Sequence, residues 1–126
     1  MANVVSDYVL DNGLTSLKNL ADKLYICISD PSSFSDATTT LALGNKNFGA
    51  GNVFTAVAAG APNGRQVSSV AISDGSITTT GTAAKWAIVD SVNSRLLVNG
   101  SLAASQAVTS GNTFTLASFS IRLPGQ

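Results

Sequence analysis

A chain of 126 residues with a single Trp allows one compact domain. Seven basic residues balance seven acidic ones, and charged residues make up 11% of the chain, under half the share usual in soluble domains, roughly 25%. Nucleic acid, which needs a basic footprint, is therefore excluded as an expected partner, and so is a membrane, because no uninterrupted apolar stretch is long enough to span a bilayer.

In chain order, residues 4–10 read as an extended arm or a first strand, and Asp11-Asn12-Gly13 as a turn and helix cap. Leu14, Leu17, Leu20 and Ala21 follow at helical spacing, predicting two turns of helix. Leu24, Ile26 and Ile28 alternate with Tyr25, Cys27 and Ser29, a strand pattern that Asp30-Pro31 ends. Residues 32–38 predict a short helical turn carrying Phe34 inward, and residues 39–43 a short strand closed by Gly44. Residues 45–52 read as loop, residues 53–59 as a strand of small side chains, and residues 60–64 as a turn. Val67, Val70 and Ile72 predict a strand ending in a hairpin at Asp74-Gly75, with residues 77–80 returning. Ala84, Trp86 and Ile88 alternate in the next strand. Residues 90–93 turn the chain into residues 95–98, Asn99-Gly100 turns it into residues 102–108, and Ser110-Gly111-Asn112 turns it again. Phe114 and Leu116 differ in parity from Phe119, Ile121 and Leu123, which predicts a β-bulge near Ala117.

Strands every eight to twelve residues, with a turn between each, predict an all-β antiparallel β-sandwich, jelly-roll-like, with a short N-terminal helical element. The expected organisation is an N-terminal arm over residues 1–13 and one β-sandwich domain over residues 14–126. Composition agrees: Glu is absent, while Ser and Thr number 29, Asn ten and Gly eleven.

Catalytic chemistry finds little to use. The chain has no His, and so lacks the commonest general base and metal ligand. Lys18, Lys23, Lys46 and Lys85 lie in no nucleophile-activating motif, and Lys85 is expected on a solvent-facing strand surface. Six of the seven Asp fall at predicted turns, caps or strand ends, where they serve backbone donors. Asp30 and Asp36 are too few for a calcium loop, and the lone Cys27 cannot build a zinc site. Cys27 reads as a small buried residue, and Gly49-Ala50-Gly51 lacks the third glycine of a dinucleotide fingerprint. Asn99-Gly100-Ser101 fits a glycosylation pattern but reads as a hairpin turn. Trp86 is expected in the core, whereas Tyr8 and Tyr25 are the aromatics available to a contact surface or to ordinary core filling. No enzyme, cofactor or metal is expected. The N-terminal residues lack the basic and apolar regions of a secretory signal, so cytosolic synthesis is expected.

A surface built of Ser, Thr, Asn, Ala and Gly, with no net charge to hold copies apart, is the profile of an assembly subunit. Leu24-Tyr25-Ile26-Cys27, Ala59-Gly60-Ala61-Pro62-Asn63-Gly64-Arg65, Asp74-Gly75-Ser76 and Ser94-Arg95-Leu96-Leu97 resemble segments of small proteins encoded among the structural genes of tailed bacteriophages. The Ser/Thr/Ala/Gly-rich, His-free and Glu-free style is also similar to that of capsid decoration (cement) proteins. The resemblance runs over most of the chain and carries no catalytic or ligand residues. It implies a virion protein on the capsid surface, made in the bacterial host cytoplasm, bound as a homo-oligomer between subunits of the major capsid protein. Avidity from many weak contacts would then clamp the head. Val4, Val5, Tyr8, Val9 and Leu10 are the candidate partner-contact arm, chosen for position and apolar content. The alternative expectation is a receptor- or glycan-binding module of a phage tail or fibre.

Overall fold

A computed structural model describes residues 7–49, 51–59 and 64–123. It opens with helix α1 (Asp7–Leu20). Leu10, Leu14 and Ala21, at the spacing of one helix face, are buried, and Leu17 packs beside them. This corrects the reading of an extended arm and turn: Tyr8, Val9 and Leu10 lie in the first turns of the helix, and Asp11-Asn12-Gly13 lies inside it. Those three residues are poor helix formers, but burying Leu10 and Leu14 one turn apart outweighs their propensity. Val4 and Val5 lie outside the described residues.

The rest is mostly antiparallel β-structure. A six-stranded sheet has the order β7-β6-β1-β2-β5-β8, formed by β1 (Lys23–Cys27), β2 (Ala42–Asn47), β5 (Ile72–Ile77), β6 (Gly81–Asp90), β7 (Arg95–Val108) and β8 (Thr113–Leu116). A three-stranded sheet has the order β3-β4-β9, formed by β3 (Ala58–Ala59), β4 (Arg65–Ser68) and β9 (Ser120–Leu123). Every strand pair is antiparallel. One face of the large sheet presents Leu24, Ile26, Ile77 and Ile88 to the main core, shared with Leu14, Val53, Phe54 and Val67. The opposite face presents Cys27, Ala87 and Val89 to a second core, closed by Ala37 of a π-helical turn (Asp36–Thr40) and by Phe34 and Leu41. The short helical element carrying Phe34 inward is thus present. Burial on both faces explains why residues 87–90 are all buried.

Three glycines read as turns or strand ends lie within strands instead. Gly44 is central in β2, where a Cβ would meet the Ser76 carbonyl oxygen at 2.4 Å. Gly75 sits opposite Phe114, whose ring would be 2.2 Å from an added Cβ. Gly100 sits opposite Trp86, whose ring would be 2.6 Å away. The Asp74-Gly75 and Asn99-Gly100 hairpins therefore do not form. Each glycine instead makes room on a pleated sheet for the ring or backbone of its neighbour. Gly111, with φ +92°, is a true turn glycine, as the sequence predicts. The turn expected at residues 90–93 also forms, with Ser94 left-handed at φ +54° before β7 begins.

Two expected continuities are sheet crossings. Val67 and Ile72 belong to different sheets, and Val70 between them is exposed. Phe114 and Ile121 likewise belong to different sheets, so the parity change near Ala117 marks a crossing and not a bulge. The two crossings meet: the Ser69 N–H donates to the Phe119 carbonyl at 2.7 Å, and the Phe119 N–H donates to Ser69 Oγ at 2.9 Å. Buried Ser69 thereby satisfies the backbone where both chain segments turn the same corner.

Candidate functional site

Helix α1 divides the contact-arm residues by face. Leu10 is core and is removed from the list of surface contacts, while Tyr8 and Val9 are 77% and 58% exposed. The helix bearing them is fixed at both ends. Near its start, Arg65 Nε donates to Asp11 Oδ1 at 2.6 Å, tying α1 to β4. At its end, the Phe48 and Gly49 N–H groups donate to the Asp22 carbonyl, the Gly51 N–H donates to that of Ala21, and Lys18 Nζ donates to that of Gly51. These bonds fasten the end of α1 and the residues just after it to Phe48, Gly49 and Gly51. Tyr8 and Val9 are thus presented by a rigid element, not by a free arm. Tyr25 packs against the second core, as ordinary core filling would have it, and burial and the nearby Asp22 carboxylate raise its phenol pKa.

The carboxylates are spent on structure. Buried Asp22 accepts the Ser91 hydroxyl and, at 3.0 Å, the Ser91 N–H, which fastens the β6–β7 turn to the start of β1. Buried Asp90 accepts the Asn93 side-chain amide at 2.8 Å and the Val92 and Asn93 N–H groups, and these bonds hold its carboxyl below the usual range. Asp36 accepts the Ser32 hydroxyl at 2.8 Å and the Ser32 N–H, and Asp30 and Asp74 pair with Lys85 and Lys46. Asp11 and Asp74 correct the expectation of turn positions, since they lie within α1 and β5. Lys85 lies at the surface, where its ammonium donates to Ser101 Oγ at 2.7 Å on the neighbouring strand and pairs with exposed Asp30. Cys27 is fully buried; its thiol donates to the Ala37 carbonyl and is pushed up to about 11 by burial, the opposite of an activated nucleophile. Among the described residues no three His, Cys, Asp or Glu side chains converge to hold a metal ion.

The described residues also form concave surfaces that sequence periodicity does not reveal. A cavity of about 340 Å³ lies between the C-terminal half of β7 and β8, lined by Leu102, Gln106, Val108, Phe114 and Leu116 over Ile26 and Ala83. A shallower groove of about 360 Å³ runs between α1 and the strands beside it, lined by Gly13, Leu14, Leu17, Leu97, Val98 and Ile121. Trp86 lines neither: it packs on Phe119, ring centroids 4.3 Å apart, as part of the core margin.

No family model, curated protein or solved structure matches this chain. Among the described residues, no helix is long and apolar enough to cross a membrane.

Proposed function

We propose that this chain is a non-enzymatic virion structural protein, a capsid decoration or cement protein of a tailed bacteriophage, bound between major capsid subunits as a homo-oligomer. The observation that carries the reading is the pairing of Tyr8 and Val9, exposed side by side at the start of a helix whose other face is locked into the core. Exposed aromatic and aliphatic side chains on a rigid support lose little entropy on binding, which is how contact anchors work. The weakly charged, Ser- and Thr-rich surface around them suits wet contacts repeated by symmetry. In this reading the two sheets form the two layers of a jelly-roll-like sandwich, and the contact residues stand beside it on α1.

The test is cryo-electron microscopy of particles from the lysate that contains this chain, with wild type and a Tyr8→Ser, Val9→Ser double variant. Many copies at the local symmetry axes of the head, lost in the variant, are expected. Density confined to a tail or fibre would transfer the reading to adhesion, and absence from every particle would end it.

A further inference from the structure

The large sheet is open at both ends: among the described residues, neither β7 nor β8 pairs with a strand on its outer side. Yet both edges line the same cavity. Leu102, Ala104, Gln106 and Val108 line it from β7, Phe114 and Leu116 from β8, and the buried Ile26 and Ala83 form its base. The sheet therefore curls until its two edges face each other across a gap. All its pairings are antiparallel, so β7 and β8 run in opposite directions on the two sides.

Of the guards of an exposed edge, charge and proline are missing here, while β8 is short and β7 is bulged. No Asp, Glu, Lys, Arg or Pro occurs between Arg95 and Arg122, the stretch that supplies both lips. Ala104, Ser105, Gln106 and Ala107 are exposed. The register also jumps on the inner side of β7: Ala83 pairs with Gln106 and Lys85 with Ser101, so residues 102–105 stand opposite Ala84 alone. The backbone there is not fully engaged by β6.

We propose that the gap between β7 and β8 is an acceptor slot for an extended, uncharged peptide segment of another protein, which adds a seventh strand and seats one apolar side chain in the cavity. The main-chain edges supply hydrogen bonds, and the pocket between them selects the side chain. A volume of about 340 Å³ is at the low end for ligand pockets, roughly 300–1,000 Å³, and matches a side chain better than a folded element. Charge selects the occupant: the lips carry no ionised side chain of their own, and the nearby Lys85 ammonium is already held by Ser101 Oγ and Asp30, so a charged segment would lose its hydration uncompensated. Because the seventh strand closes an even antiparallel set, it lies antiparallel to one lip and parallel to the other. This slot does not depend on the capsid reading.

The probe is a set of capped octapeptides in which Thr alternates with Val, Leu or Phe, titrated into the full ¹⁵N-labelled chain. Saturable shifts confined to residues 101–108 and 113–117 are expected, with slowed amide exchange at the same positions. Octapeptides with Pro at the Thr positions, which lack the donors, should not bind. Ala104→Lys and Thr115→Lys, both at exposed positions, should weaken binding about tenfold while leaving the thermal midpoint unchanged. The proposal is overturned by no saturable binding by any alternating peptide, shifts outside the two lips, equal binding of a Lys-centred peptide, or lip amides already protected in the free chain. Shifts that follow protein concentration without peptide would also overturn it, by assigning the slot to a second copy.

Discussion

Gly100 and Trp86 face each other across β6 and β7, and their contact shows how closely single residues are specified here. Gly100→Ala would push a methyl group into the indole ring at 2.6 Å. A ring packed on Phe119 has little room to yield, so a loss of about 1–3 kcal/mol is expected, as for overpacked cores. Urea denaturation measures it, and an unchanged midpoint would mean the sheet opens at this point at no cost. Ser69 makes a second specific claim. Ser69→Ala leaves the Phe119 N–H without its acceptor at a buried corner, at a cost of about 1–3 kcal/mol. Ser68→Ala, which removes only an exposed hydroxyl pair with Ser120, should cost under about 0.5 kcal/mol and serves as the control.

At the scale of elements, α1 has a buried face that holds the fold and an outer face available for contact. Leu14 is 1% exposed, and Leu14→Ala should cost about 2–5 kcal/mol. Tyr8→Ser, on the opposite face, should leave thermal unfolding nearly unchanged and, under the capsid reading proposed above, reduce particle binding. A Tyr8 variant that unfolds early would show the residue to be structural and would remove it as an anchor. The helix also shows why element boundaries were only partly legible. The 3.6-residue spacing of Leu14, Leu17 and Ala21 was readable, but the chain before it carried Asp-Asn-Gly, whose local preference is a turn. The helix runs through that tripeptide and buries Leu10 before it as well as Leu14 after it.

The whole molecule carries few charges, and the fold lowers the carboxyl pKa of exposed Asp74, through Lys46, and of buried Asp90 at the β6–β7 corner. Asp90 is ionised there with its folded pKa depressed, chiefly by the Asn93 amide. Its contribution is therefore full above the unfolded value of about 3.9 and is lost as pH falls through the lower folded value. Stability should be flat from neutral pH down to about pH 4 and decline below it. Asp90→Asn should be less stable at neutral pH and show a shallower acid decline. An identical decline in the variant would move the titrating group elsewhere.

Much of this architecture was decided locally. Alternation placed strands at Leu24 and Ile26 and at Trp86 and Ile88, and Ser110-Gly111-Asn112 turned where expected, because backbone dihedrals and side-chain parity depend on immediate neighbours. The first strand, read as running to Asp30-Pro31, ends at Cys27, leaving Ile28 exposed. The candidate contact site was half legible: the apolar run at the N-terminus was visible, but the division of Leu10 from Tyr8 and Val9 needed the helix and the core it packs on. Glycine marks where local reading stopped. Gly111 lacks a side chain because its φ is positive, whereas Gly75 and Gly100 lack one because Phe114 and Trp86 lie over them. A sequence writes both in the same letter. Only tertiary structure chose between them, and only it sent residues 69–71 and 117–119 across to the second sheet, because the partners that decide these positions are distant in the chain and near in space.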